Sequence, residues 1–495
     1  MSENEPECSK TEETDDSDDS SDCQGSAILK EKNILRLLSD ALTFKSPLED
    51  IKLIINCGAN VNGSVKRGLR PLHYAVYVDY VEGARLLIEK GADVNQPDDI
   101  GYTPMHVCAR KGSLKSMRLL IENGAFVDFF AENPAISENI RDLGYLTIEP
   151  LNLAVENNNV DCLRLLLESG ASPDHKYFMG YEINLVPIDH VECLELLLQY
   201  GADPNVSNRC GITPLMKSCR QQRLDVVRLL LKYAADVNLQ SPPRFDQKSA
   251  LHFCVQVGNS GIAHTLLRHG AKPGKLDNYN YGALHTAVLK DRVDFCEMFL
   301  KWNANVNEFS DDKTTPLVLA CATPNLTQRK QIIELLLDNG ADTNKHAGIV
   351  SYTSPCLSAL TEYLRIQDAE TITFDVVHLL IKHGAKVHFK GQSSPARLKD
   401  PFGILHYISN IKDKDDIFSL LAVSAQIFDV PAIQRYSGLL DWQRRLLISL
   451  SSAPRPLKHL VRQSIRQMFL QQIPKLVNDL PVPSIIKQYL LYEHY

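Results

Sequence analysis

Residues 91–124 read GADVNQPDDIGYTPMHVCARKGSLKSMRLLIENG, and this stretch decides the fold. It holds two short apolar patterns at helical spacing, Met105 to Arg110 and Leu114 to Glu122. The turn Lys111-Gly112 joins them, and Thr103-Pro104 leads into the first. A unit of this size has one apolar face and nothing of its own to bury it against, so it needs copies of itself to stack on.

The copies are present. Gly-Ala-x-x-Asn/Asp recurs at Gly58, Gly91, Gly124, Gly170, Gly201 and Gly340, and weakened forms stand at Ala234, Gly270, Asn303 and Gly384. The steps 58 to 91, 91 to 124, 201 to 234 and 270 to 303 are each 33 residues. Thr103-Pro104-Met105-His106-Val107-Cys108 matches T-P-L-H-x-A, the signature of the ankyrin repeat, which this chain resembles. Partial matches lie at Pro71-Leu72-His73, Thr213-Pro214-Leu215, Leu251-His252, Leu284-His285 and Thr315-Pro316-Leu317. The Gly of each Gly-Ala follows a leucine-rich helix, where a positive φ caps the last turn. Asn303 tolerates that conformation and Ala234 does so less well. His73, His106, His252 and His285 are expected to bond backbone in the turn. The finger residues Asn62, Asn95, Asn205, Asn238, Asn307 and Asn344 resemble positions hydroxylated in other ankyrin proteins, and here a turn-forming role is expected of them.

Departures from the period stand out against this regularity. Gly124 to Gly170 is 46 residues, and the excess precedes Glu149-Pro150-Leu151, enlarging the finger FVDFFAENPAISENIRDLGYLTIE. The next finger, Asp174 to Tyr181, is short and aromatic, and the helix after it is interrupted by Pro187. Gly340 to Gly384 is 44 residues, with the excess expected between the two helices around Arg365 to Thr373. Phe126, Phe129, Phe130 and Tyr145, with Tyr177, Phe178 and Tyr181, form a candidate aromatic patch for a protein substrate; the competing reading is a finger that buries its own rings.

Composition narrows the classes. The net charge of −7 is uneven: residues 1–22 carry ten acids against Lys10, leaving the remainder close to neutral. Residues 1–24 are therefore expected to form a disordered acidic tail. The near-neutral array gives no footing for nucleic acid, and the basic residues Arg444, Arg445, Arg455, Lys458 and Arg462 are assigned to a solvated or partner-facing helix surface. Twelve cysteines without a C-x-x-C pair or a His/Cys cluster argue against zinc, and no leader precedes them to suggest an oxidising compartment. Cys108 and Cys254 align with Ala75, Ala154, Ser218, Ala287, Ala320 and Ala359, a small-residue slot between stacked helices where a thiol is packed and inert. No apolar run reaches membrane-span length. The expectation is an intracellular protein, cytoplasmic with the nucleus also open to it. No phosphate-cradling loop, nucleophile elbow or metal-ligand spacing is present, so no catalytic residue, cofactor or metal is assigned.

The last forty-odd residues leave the repeat. Pro454 and Pro456 set a helix start. Leu457, Leu460, Val461, Ser464, Ile465, Met468 and Phe469 then share one face. Leu480-Pro481-Val482-Pro483 breaks the chain before a short final helix. This segment resembles a SOCS box, and the whole resembles the ankyrin repeat and SOCS box family of cullin-5 ubiquitin-ligase subunits. The resemblance implies elongin C binding by Leu457, Leu460, Val461 and Ile465, with Val461 standing where the family carries cysteine. It also implies cullin-5 binding by Leu480, Pro481, Val482 and Pro483.

The expected architecture is all-α: an ankyrin-repeat solenoid of about ten to eleven repeats followed by a three-helix SOCS box. Its parts are the tail 1–24, the array 25–428 with irregular end repeats, a connecting helical segment 429–453, and the SOCS box 454–495. The resemblance implies a non-catalytic adaptor. It would hold an unidentified protein target on its concave face and elongin C, elongin B and cullin-5 with its RING protein on its tail. The alternative is an ankyrin scaffold whose tail helices only cap the array, and neither reading needs a cofactor, nucleic acid or membrane.

Overall fold

The computed structural model describes residues 21–128, 149–177, 179–345, 357–390, 400–452, 456–469 and 473–493. The chain forms two compact units, Met1–Arg209 and Cys210–Tyr495. In both, the building block is a pair of short antiparallel helices.

The quoted stretch shows how one block forms. Thr103 is extended at φ −81° and ψ 167°, Pro104 occupies the first helical position, and Pro104–Lys111 runs until Gly112 turns left-handed at φ 78°. The outer helix Leu114–Glu122 buries Met117, Leu119 and Leu120, and Gly124 ends it at φ 80°. In the first unit such pairs follow an opening pair, Ser21–Thr43 with Leu48–Asn56, and start at Pro71, Pro104, Pro150 and Glu182. In the second unit they start at Pro214, Ala250, Ala283, Pro316, Ala359 and Leu405, the last opening with a 3-10 turn. The opening helix begins at Ser21, so it includes the end of the acidic segment.

Stacking uses the small-residue slot. Ala75, Cys108 and Ala154 in the first unit, and Ser218, Cys254, Ala287, Ala320 and Ala359 in the second, are all 0% exposed. A larger side chain there would separate neighbouring pairs. Burial pushes the Cys108 thiol well above its usual range, which leaves it unreactive.

Two polar ladders run beside this slot. At the start of the inner helices, the ring Nδ1 of His73 accepts from the Arg70 amide at 3.2 Å, and its Nε2 reaches the Tyr102 carbonyl at 3.0 Å. His252 repeats the pattern with the Ser249 amide and the Tyr281 carbonyl, and His285 with the Gly282 amide and the Glu308 carbonyl. An accepting Nδ1 and a donating Nε2 define a neutral imidazole, and burial lowers the pKa of all three rings, His285 to about 4.

At the fingertips, the Asn62 side chain donates to the Gly91 carbonyl at 2.9 Å and accepts from the Asp93 amide at 2.9 Å. Asn95, Asn238, Asn307 and Asn344 bridge to the following finger in the same way. These asparagines therefore do more than form turns: each amide satisfies one donor and one acceptor of the next repeat.

The irregular repeats keep most of their expected form. All the excess after Gly124 lies ahead of Pro150–Glu156, and the helix before Pro187 is only the four residues Glu182–Leu185. The excess after Gly340 is divided, which corrects the expectation that it lies between the helices. Ser358 caps its inner helix eighteen residues after Gly340, where Thr103 does so twelve after Gly91, so about half of the insertion belongs to the finger. The remainder is the link from Gln367 to Thr373, held by the Tyr363 hydroxyl, which donates to the Thr371 carbonyl and accepts from the Thr373 amide, both at 3.1 Å.

The last repeat closes with a short parallel pairing of His388–Phe389 and Ile427–Phe428, where Phe389 stacks on Phe428 at 5.8 Å. Val430–Arg435 and Asp441–Ser452 then connect to the C-terminal helices. Among the described residues, no helix is long and apolar enough to cross a membrane.

Candidate functional site

The tail folds as three helices, Leu457–Phe469, Ile473–Asp479 and Ser484–Leu490. Their shared core is Ile473, Val477, Leu490 and Leu491, against which Ile465, Phe469 and Leu480 pack. Pro481 and Pro483 separate the second and third helices, since neither ring nitrogen can donate to a continuing helix.

The first helix has two different faces. Inward, Ile465 and Phe469 meet the bundle core. Outward, Leu457 is 76% exposed, Leu460 46%, Val461 45% and Met468 72%. Leu457, Val461 and Met468 fall on one stripe by i, i+4 and i+11 spacing with Leu460 beside it, and nothing else in the bundle covers them among the described residues. The structure thus divides the four residues assigned to elongin C, with Leu457, Leu460 and Val461 outside and Ile465 inside. Of the cullin-assigned residues, Leu480 packs on the core, Val482 is half-buried, and Pro481 and Pro483 are exposed.

Arg462 corrects the expectation of a solvated basic surface. It is 1% exposed, and its guanidinium carbon lies 3.4 Å from the centre of the Tyr489 ring and 4.2 Å from that of Tyr492. One turn on, Arg466 donates to the Leu490 carbonyl at 2.8 Å and the Lys382 carbonyl at 3.2 Å. Burial lowers its pKa to about 10, which leaves it charged. The bundle is fastened to the repeat Ala359–Lys382 through this arginine, through Lys382 to Glu493 at 2.8 Å, and through His378 to the Tyr492 carbonyl at 3.2 Å.

Of the aromatic candidates, Phe129, Phe130, Tyr145 and Phe178 lie outside the described residues. Phe126 and Tyr181 are half-buried. Tyr177 sits on a two-residue hairpin, Lys176–Tyr177 with Gly180–Tyr181, and turns its hydroxyl inward, where burial and the nearby Glu182 push its pKa well above the usual range.

Around that hydroxyl is a group of polar residues that sequence reasoning did not single out. His175 Nε2 is 2.9 Å from Asp128 Oδ1, and Glu149 stands close to both. Two signals in the sequence mark them. Asp128 occupies the ladder position that carries asparagine in six other fingers, and Glu149 precedes Pro150 where Thr103, Thr213 and Thr315 precede theirs.

Stacked helix pairs with an appended three-helix bundle that keeps an apolar stripe exposed define a repeat protein built for protein contacts. The family model for ankyrin repeats (three copies) matches residues 38–131, 185–277 and 251–347, and a single ankyrin repeat matches 150–177, together more than half of the chain. The SOCS box matches residues 453–491. The chain belongs to the ankyrin repeat and SOCS box family.

Among its relatives, ankyrin repeat and SOCS box protein 14 of Mus musculus is 25% identical over 307 residues, 58% of this chain and 45% of that protein. Ankyrin repeat and SOCS box protein 6 of Homo sapiens is 25% identical over 330 residues, 54% of this chain and 78% of that protein. The chain also matches transient receptor potential cation channel subfamily A member 1 of Homo sapiens, 25% identical over 201 residues, 39% of this chain and 15% of that one. It thus spans less than half the length of some of the curated relatives it matches. A crystal structure of the human ASB11 ankyrin repeat domain is 26% identical, with a TM-score of 0.39, over 48% of this chain and 98% of that one.

Proposed function

We propose that the chain is the substrate-recognition adaptor of an elongin B/C–cullin-5 RING ubiquitin ligase, with catalysis left to its partners. The observation that carries this reading is the apolar stripe of Leu457, Leu460, Val461 and Met468 on the first SOCS box helix. Large apolar side chains gain about 1.5–3 kcal/mol each on full burial, and the bundle leaves these four uncovered while filling its core with others. Elongin C is the partner that a SOCS box offers this face, with elongin B beyond it. Cullin-5 and its RING protein would meet Leu480-Pro481-Val482-Pro483, of which the prolines are accessible. Valine at 461 keeps the apolar bulk of the family's cysteine, so docking is retained.

The target protein is assigned to the fingers and inner helices of the repeats. Phe126, Phe129, Phe130, Tyr145, Tyr177, Phe178 and Tyr181 are the proposed contact region. Phe126 and Tyr181 are half-buried, whereas Tyr177 supports the finger from within.

The scaffold reading, in which the tail is only a cap, draws support from Arg466, which does seal the bundle against the repeat Ala359–Lys382. A cap has no use for a solvent-facing Leu457. Co-purification of the full chain with elongin B/C decides between them. Leu457→Asp with Val461→Asp changes exposed positions only, so the fold is kept. The adaptor reading expects at least a 100-fold weaker complex, and undiminished capture by the double variant would sink it. The same variant, unable to pass its target on, serves as a trap for the unidentified substrate.

A further inference from the structure

The polar group under the enlarged finger is built from consecutive repeats. Asp128 ends one finger, Glu149 immediately precedes the helix Pro150–Glu156, and His175 lies in the next finger. One ligand atom from each of the three lies within 4.8 Å of the other two. Asp128 and Glu149 are 8% and 1% exposed, so these are not surface acids.

A further buried carboxylate, Glu182, lies under the same hairpin beside Tyr177. The hairpin register pairs Lys176 with Tyr181 and Tyr177 with Gly180, and the Glu182 amide donates to the His175 carbonyl at 3.0 Å. His175 and Glu182 therefore continue the hairpin register by one position and share one of its faces. Alternation puts Tyr177 on that face too and Lys176 on the other, where its ammonium lies over the Tyr181 ring at 5.6 Å. Glu182 is 0% exposed. Its Oε1 accepts from Asn152 at 3.1 Å, and the Tyr177 hydroxyl lies against the same carboxylate, while Oε2 has no hydrogen bond of good geometry among the described residues.

Asp128 and Glu149 are thus two inaccessible carboxylates on one imidazole, a donor set that a metal ion can share. The substitution of Asn by Asp at the ladder position is informative here. Asp128 keeps the acceptor half of the ladder bond, from the Ser172 amide at 3.3 Å, and turns its other oxygen to His175.

We propose that Asp128, Glu149 and His175 bind a divalent transition-metal ion of the zinc class, joining the base of the enlarged finger to the hairpin of the next repeat. Imidazole with carboxylate oxygens suits zinc and its first-row neighbours, whereas calcium and magnesium call for six or more oxygen ligands. Zinc ligands at about 2.0–2.2 Å from the metal stand roughly 3.4 Å apart, so the present spread closes by side-chain adjustments of about an ångström. The metal has a structural role, fixing the finger that the proposed target contacts, and the assignment does not depend on the ligase reading.

The test uses the full chain, dialysed against zinc held by a weak chelator so that adventitious surface sites stay empty. One equivalent of zinc is expected, with a thermal midpoint raised by the metal. His175→Gln and Glu149→Gln are expected to weaken binding at least about 10-fold and to abolish that rise. X-ray absorption at the zinc edge of the unaltered chain gives a reading that does not rely on any variant folding: nitrogen and oxygen ligands, one imidazole, no sulfur. Zinc bound through sulfur, or an equivalent retained at full affinity in folded His175→Gln, overturns the proposal and leaves a hydrogen-bonded cluster only.

Discussion

Arg466 Nη2 donates to the carbonyl oxygen of Lys382 across 3.2 Å, joining the first SOCS box helix to the end of the helix Phe374–Lys382. The last carbonyls of a helix have no partner within it and carry its negative dipole end, so a buried cation is well placed there. Nη1 of the same group holds the Leu490 carbonyl, so one side chain ties together the repeat and two helices of the bundle.

Arg466→Met is accordingly expected to destabilise the attachment of the bundle by about 2–4 kcal/mol, because the buried Leu490 and Ile381 carbonyls and the part-buried Lys382 carbonyl lose a charged donor. Hydrogen exchange would show residues 457–493 opening before the rest of the second unit. Arg466→Met without earlier exchange in that segment would contradict the assignment.

Acid should weaken the second unit through His285. Its folded pKa, about 4, lies below the ordinary 6.5, so the protonated ring is disfavoured in the folded state. The stabilisation is complete above roughly pH 6.5 and is lost as pH falls toward 4, about 2 kcal/mol having gone by pH 5. His252, lowered in the same direction, adds to the slope. Urea midpoints at pH 7.5 and 5 measure it, and a His285→Gln variant should show a shallower pH dependence.

Ala234 holds φ at 61°, the left-handed position that glycine fills after most outer helices. An L residue pays about 1–2 kcal/mol there, and glycine loses about 0.5–1 kcal/mol more entropy on folding. Ala234→Gly is therefore expected to stabilise the second unit by up to about 1 kcal/mol, read from the urea midpoint. A lower midpoint would mean that the methyl group is itself packed.

Much of the molecule was legible along the chain. The period, the Thr-Pro entry and the Gly-Ala exit each report a local backbone requirement, so Gly91, Gly124 and the Cys108 slot could be read before any contact was known. The SOCS box helix was legible too, because 3/4 spacing marks a two-sided helix. Which side meets the bundle was not: Val461 and Ile465 have the same spacing signal, and only packing against Ile473 and Val477 separates them. Arg462 was misread for a related reason, since a basic residue on a helix is usually solvated and its burial depends on Tyr489 and Tyr492, nearly thirty residues away.

What the sequence determined by itself, then, is the repeat, its caps and the separate character of the tail, all features set by residues within one helix pair of each other. The tertiary structure alone decided which apolar face of the tail stays open, that Arg466 fastens it to Lys382, and that Asp128, Glu149 and His175 converge. Those outcomes depend on stacking and on strand register across an insertion. No local pattern encodes the distance between side chains brought together from different repeats.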